Sequence, residues 1–130
     1  PVLEIGCGDG DDTRTLVNAG FDVMAFDLSD AAVRRARQAA PAARIEQRDI
    51  RDPLPQTGNG FGVVIASLSL HYFPWSETLD IAARIHRVLA PGGLLLCRLN
   101  STEDHHFGAR GHPVIEPHYH LVNGSPKRFF

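Results

Sequence analysis

V-L-E-I-G-C-G-D-G-D-D-T, Val2 to Thr13, is the stretch on which the reading of this chain turns. Strand-forming residues run straight into three glycines at every second position, Gly6, Gly8 and Gly10. Such a turn lets backbone come close to a ligand and adopt positive φ. Acids surround it: Glu4 before, Asp9 within, Asp11 and Asp12 after. The dinucleotide fingerprint G-x-G-x-x-G would need its third glycine where Asp11 stands, and the phosphate loop of nucleotide triphosphatases would need a Gly-Lys-Ser/Thr that is absent. A pyrophosphate here would meet Asp9, Asp11 and Asp12, a repulsion that the amino end of the next helix offsets by at most about 2 kcal/mol. The loop suits a ligand that is cationic overall. Asp11 and Asp12 suit helix capping as well, and the two roles are compatible.

Outward from the glycines, strand and helix alternate. The pattern predicts a strand at Val2–Ile5, a helix over Asp12–Ala19 stopped by Gly20, and a strand over Phe21–Phe26 closing at Asp27. A helix capped by Ser29 or Asp30 and ended by Pro41 comes next, then a short strand at Arg44–Arg48. Beyond a polar loop through Gly60, F-G-V-V-I-A-S-L is apolar throughout, the mark of a strand buried on both faces. Leu79, Ile81, Ala82, Ile85, Val88 and Leu89 make one apolar stripe on a helix from Trp75 to Leu89. Pro91–Gly93 ends that helix, and L-L-L-C-R-L-N is the fifth strand. Together these give an α/β fold: a Rossmann-like doubly wound sheet, mostly parallel, in three α/β/α layers with the first strand central. Ligands of such sheets lie at the carboxyl ends of the strands, where the opening glycines are. Residues 101–118 are polar and without periodicity, and Y-H-L-V, Asn123-Gly124 and S-P-K-R-F-F predict a hairpin.

Composition narrows the classes. At 130 residues, 43% hydrophobic and 22% charged, the chain reads as one globular domain. A net charge of −2 supplies no general field for nucleic acid. Arg34, Arg35 and Arg37 read as a solvated helix face rather than a phosphate patch. No apolar run approaches the roughly 20 residues that cross a bilayer. Cys7 and Cys97 lie outside any C-x-x-C pair, and free thiols suit a cytoplasmic location. No leader stands in the sequence, although a chain opening at Pro1 directly on a strand leaves room for a segment removed ahead of it.

E-I-G-C-G-D-G resembles the first motif of class I S-adenosylmethionine-dependent methyltransferases, and R-D-I (Arg48–Ile50) and L-A-P-G-G (Leu89–Gly93) are similar to later segments of that family in the same order. S-L-S-L-H-Y-F through L-N-S-T-E-D-H-H-F-G-A is also similar to a bacterial group of small methyltransferases. The resemblance spans residues 1 to about 100 and implies S-adenosyl-L-methionine as cofactor. Its sulfonium and ammonium suit an acidic loop, and a helix amino end can take its carboxylate. The residues implied to bind it are Glu4, Gly6, Cys7, Gly8, Asp27, Leu28, Asp49, Ile50 and Ser67. Asp27 stands where the family carries an acid for the ribose hydroxyls, and one carboxylate can accept from both. Asp49 matches the acid that takes the adenine amino group, with Asp52 nearby able to cap or solvate instead. Glu4, buried in the first strand, needs a backbone or water partner near the ligand amine. Gly62 departs from the family, which often has an acid there.

The family's last two strands need more chain than follows Asn100, so the sheet is expected to lack or truncate them. That leaves Leu94–Asn100 as an edge strand, which the C-terminal hairpin or a second copy of the chain, as a homodimer, should cover. The domain reading is a single methyltransferase domain over 1–130, with the cofactor core at 1–100 and a substrate-side loop and hairpin at 101–130.

The implied reaction is methyl transfer to a small-molecule acceptor, an in-line displacement in which alignment does most of the work. A base is needed only for an acceptor protonated at working pH, and His71, then Tyr72, follow the fourth strand in position to serve. His71 equally suits ordering the loop before the helix. Five histidines, His105, His106, His112, His118 and His120, crowd the tail without C-x-x-C or H-E-x-x-H spacing, so the reading assigns no metal. His118 and His120 are expected to share a strand face. Two rival readings remain: an NAD-dependent oxidoreductase, which NADH binding would reveal, and a non-catalytic S-adenosylmethionine-binding module, which any methyl transfer would exclude.

Overall fold

The computed structural model describes residues 1–130, and alternate residues of its second strand go to opposite layers. In β2 (Val23–Asp27), Val23 and Ala25 pack with Cys7, Val33, Ala36, Ala40 and Ile45. Met24 and Phe26 face the other way, toward Ile5, Phe61, Val64, Ile81 and Ile85. Between these two cores runs one parallel sheet that also contains β1 (Val2–Ile5), β3 (Arg44–Gln47), β4 (Phe61–Ser67) and β5 (Leu89–Arg98). Its order is β3-β2-β1-β4-β5, so β1 is central, with Val2 paired to Val23 on one side and to Val63 on the other. Helices α1 (Asp11–Asn18) and α2 (Asp30–Ala39) cover one face, and α3 (Trp75–Val88) covers the other. The Rossmann-like, three-layer α/β/α expectation is met in element order and strand order.

Local signals resolve at residue level. Ser29, rather than Asp30, caps α2, accepting from Ala32 N at 3.3 Å. Neither Asp11 nor Asp12 caps α1: its cap is Gly10 at φ 88, with no side-chain hydrogen bond. A Cβ at Gly10 would lie 2.7 Å from Ala36 Cα, so the glycine permits both the left-handed turn and the close approach of α1 to α2. Gly10→Ala should therefore cost about 2 kcal/mol or more, from the left-handed backbone plus the displaced helix. Urea unfolding would read this as a lower midpoint at unchanged slope, and an unchanged midpoint would refute it.

Several expectations give way. Helix α3 ends at Val88, and Pro91–Gly93 do not separate it from the last strand: β5 already pairs Leu89 with Phe61, then bulges to pair Leu94 with Val63. Of the stripe on α3, Ile81, Ile85 and Val88 are buried, whereas Leu79 and Ala82 line an open apolar cleft with Leu95, Cys97 and Phe130. The arginines of α2 are exposed, as a solvated face should be, and two of them also tie down neighbouring segments. Arg37 donates twice to Ile45 O (2.9 and 2.7 Å), pinning β3, and Arg35 Nε donates to Asp9 at 2.8 Å, pinning the glycine loop.

The hairpin forms but does not go to the sheet edge. β7 (Tyr119–Val122) and β8 (Ser125–Arg128) turn through Asn123 and Gly124, at φ 50 and 80, the primed geometry that suits a two-residue loop. They join β6 (Val114–Glu116), a strand hidden in a polar, aperiodic stretch, as a separate three-stranded sheet. This sheet packs on the loop after β4 and leaves β5 at the edge, with Leu94 60% and Leu96 54% exposed. His118 sits at φ 60 in the turn before β7, so it and His120 do not share a strand face. No helix is long and apolar enough to cross a membrane.

Candidate functional site

Each glycine of the opening turn has its own reason. Gly6, at φ 72, stands where a Cβ would lie 2.6 Å from Ser69 Cβ, so it lets the loop after β4 cross close to the end of β1. Gly10 seats α1 on α2. A Cβ at Gly8 would meet nothing within 4 Å, which leaves that face of the turn open. The turn is tied to the end of β2, where Gly6 N and Cys7 N both donate to Phe26 O at 2.9 and 3.0 Å.

Asp27 completes the tie. Its Oδ2 accepts from Gly8 N at 2.9 Å and its Oδ1 from Ser29 N at 2.9 Å. Each carboxylate oxygen has a second lone pair for a ligand. The N–H of Gly8, which a cradled pyrophosphate would want, is already engaged.

A cleft of about 580 Å³ opens at the carboxyl ends of the strands, within the roughly 300–1,000 Å³ usual for small-molecule sites. Asp27, Leu28, Asp49, Ile50 and Gly6 line it, as do Leu68, Ser69, Tyr72, Phe73 and Pro126. Asp49 Oδ1 accepts from Arg51 N at 2.9 Å, a local turn that holds the carboxylate at the wall. Ser69 Oγ and Arg48 Nε, both on this wall, are buried with no partner in the chain, which fits a ligand carrying polar groups. Ser67 ends β4 outside the wall; Leu68 (φ 53) and Ser69 stand there instead, because the chain turns sharply at the strand end.

Glu4, Cys7 and Gly8 are not on the cleft wall; Glu4 and Cys7 are buried, and Gly8 is half-buried. Glu4 is 4% exposed and accepts from the Thr13 hydroxyl at 2.5 Å, a side-chain partner in place of the backbone or water partner expected. Burial pushes its carboxyl from an ordinary 4.5 up to about 7, against the Thr13 hydrogen bond and with a contribution from Asp12. The Cys7 thiol packs against α2 in the core, and burial, then the charges of Glu4 and Asp27, push it up to about 12, so it is no nucleophile.

On the far side of the cleft, Tyr72 is 44% exposed at the wall, whereas His71 is 4% exposed behind it, ring centroids 4.1 Å apart. His71 Nδ1 has no partner in the chain, and burial, then the charge of Lys127, lower its pKa from 6.5 to about 4. The imidazole is therefore neutral at pH 7. Sequence reasoning missed the residues of β6–β8 that reach this loop: Glu116, Tyr119 and Arg128. Only the oddity of a buried-type aromatic–arginine pattern in a polar tail could have marked them.

Comparison with known proteins falls on this part of the chain. The methyltransferase-domain family matches residues 2–93. Trans-aconitate 2-methyltransferase of Paracidovorax citrulli is 35% identical over 100 residues, covering 75% of this chain and 38% of the relative. Malonyl-[acyl-carrier protein] O-methyltransferase of Enterobacter lignolyticus is 34% identical over 95 residues, 72% of this chain and 36% of that protein. Among solved structures, an S-adenosylmethionine-dependent methyltransferase from Mesorhizobium loti superposes with a TM-score of 0.76 at 25% identity, covering 99% of this chain and 66% of that one. The chain thus spans under two-fifths of the length of these curated relatives.

Proposed function

The chain belongs to the methyltransferase-domain family, and on that premise we propose that it binds S-adenosyl-L-methionine in the strand-end cleft and transfers its methyl group to a small-molecule acceptor. The observation that carries the reading is Asp27, a carboxylate fixed at the cleft wall by Gly8 and Ser29 with lone pairs to spare. When bound, the cofactor supplies a methyl group on a positively charged sulfur, a leaving group already activated. Asp27 would accept from the ribose hydroxyls, with Leu28 beside it. Asp49 would accept from the adenine amino group, with Ile50 as an apolar wall. The open face at Gly8 and the amino end of α1, which has no side-chain cap, would take the amino-acid end, and the cofactor's positive charge would favour ionisation of Glu4. Gly6 and Cys7 would serve by shaping the turn, their N–H groups being engaged by Phe26 O, and Ser69 would take the place on the wall that Ser67 does not reach.

The acceptor would enter past Tyr72, with His71 holding the tyrosine from behind. With its pKa lowered to about 4, the His71 imidazole is a weak base, poorly matched to taking a proton from an alcohol or amine at neutral pH. The site therefore suits an acceptor already ionised, such as a carboxylate, and relatives named for trans-aconitate and for a malonyl carrier protein agree with that choice. His71→Ala should lower kcat by about tenfold or more while S-adenosylhomocysteine affinity stays within about twofold. A large loss of affinity would make His71 part of the cofactor site instead. Screening small carboxylic acids with methyl-labelled cofactor tests the whole reading; absence of transfer to every acceptor class, with cofactor still bound, would favour a binding module.

The reading places the protein in the cytoplasm, in keeping with the free thiols Cys7 and Cys97. The bare edge of β5 suits pairing with a second copy of the chain, and sedimentation showing only monomer at high concentration would count against that.

A further inference from the structure

The stretch Leu68–Pro74 carries His71 and Tyr72, yet it belongs to neither β4 nor α3. Peptide groups outside regular elements still need partners. Three consecutive carbonyls find them on one hairpin, β7 and β8. His71 O accepts from Arg128 N at 2.6 Å, Tyr72 O from the Tyr119 hydroxyl at 2.8 Å, and Phe73 O from Arg128 Nε at 3.0 Å. The series continues into α3. Pro74 offers that helix no side-chain cap, and Trp75 N donates instead to Glu116 Oε1 at 2.5 Å. Glu116 also pairs with Arg128 Nη2, and the guanidinium lies 4.9 Å from the Tyr119 ring centre and 5.4 Å from that of Trp75.

A guanidinium this deeply buried is tolerated only when its donors are met. Here Nε reaches Phe73 O, Nη2 reaches Glu116, and Nη1 reaches Pro117 O at 3.4 Å. The flat fork fixes those acceptors relative to one another, which a lysine could not do.

We propose that Arg128, Tyr119 and Glu116 are positioning residues that hold the His71–Tyr72–Phe73 backbone, so that the acceptor side of the cleft is moulded by the C-terminal hairpin. The inference rests on reading that loop as the acceptor side. The hairpin's separation from β5 then has a use: it is committed to the loop.

The test is an NMR titration of the His71 imidazole in the 130-residue chain, alongside calorimetry with S-adenosylhomocysteine. Tyr119→Phe removes one hydroxyl and leaves the ring; Arg128→Lys keeps the charge and loses the fork. Lys127 of β8 and Tyr72 are the charged and titratable groups facing the imidazole, and both variants retain them. If the hairpin holds the loop, each variant lets water reach His71, and its titration midpoint rises from about 4 toward 6.5, by about one pH unit or more. Nucleoside affinity should stay within about threefold, since Asp27 and Asp49 are held by other contacts. A midpoint that stays at the parent value in both folded variants, with only melting temperature lowered, would overturn the proposal. Should Arg128→Lys not fold, Tyr119→Phe alone decides. Failure of the parent to bind S-adenosylhomocysteine would refute the cofactor reading, while the imidazole midpoint still decides the clamp.

Discussion

The Asp27→Ala protein is expected to bind S-adenosylhomocysteine roughly 30- to 1000-fold more weakly than the parent in calorimetric titration. Two charge-assisted hydrogen bonds to a ribose, at about 1.5–3 kcal/mol each, are lost, and water refilling the gap brings the net loss down to about 2–4 kcal/mol. The same carboxylate holds Gly8 N and Ser29 N, so its removal also slackens the glycine turn. Asp27→Asn should fall between parent and Ala. Its amide oxygen can still accept one backbone N–H, but the charge is gone. NADH should not bind the parent. Repulsion by Asp9, Asp11 and Asp12 is blunted, because Arg35 partners Asp9 and Arg14 lies 3.3 Å from Asp11. The stronger reason is geometric: the turn's central N–H is spent on Asp27. Unchanged affinity in Asp27→Ala, or tight NADH binding, would sink the cofactor assignment.

Glu4→Gln should stabilise the chain by about 3 kcal/mol at pH 8 and by little at pH 4. The carboxyl sits near 7 when folded against an ordinary 4.5, so the folded chain holds a proton that the unfolded chain releases across that window. Stability that is present below 4.5 is lost as pH rises through 7, because the buried carboxylate must then ionise beside Asp12 with only Thr13 to bond it. Glutamine keeps an acceptor for the Thr13 hydroxyl and never ionises. Urea unfolding of both proteins at pH 4, 6 and 8 checks this, and parallel pH dependence in the two would show that Glu4 does not titrate in the window. A bound cation should relieve the same cost, so S-adenosylmethionine should raise the melting temperature of the parent more at pH 8 than of Glu4→Gln.

Much of the fold was legible because its signals are local. A run such as Phe61–Leu68 can satisfy its side chains only between two layers, and alternation with capped helices leaves a parallel sheet as the way to do it. The cleft followed from the same logic: Gly6, Asp27 and Asp49 are placed by where strands end, and strand ends are set by nearby residues. Other features depend on partners far along the chain. Glu4 meets Thr13 because α1 folds back over β1, and Arg35 meets Asp9 because α2 lies against the glycine turn. Nothing in the neighbourhood of Ser67 shows that the chain turns at Leu68 and presents Ser69 in its place.

The hairpin marks the boundary most clearly. Asn123-Gly124 between two short strands is enough to form it, since the turn type and cross-strand register are decided within a few residues. Its destination is not. An open strand edge and an irregular loop both offer unpaired carbonyls, and local pattern cannot rank them. The ranking is made by a side chain with several donors to satisfy: Arg128 finds Phe73 O at the loop and the Trp75 face just beyond it, while its own sheet supplies Glu116 and the Tyr119 face, and it is buried there. Elements and the Asp27–Asp49 side of the cleft come from chain-local chemistry. The His71–Tyr72 side comes from a buried charge that is stable only where distant segments bring enough acceptors to it.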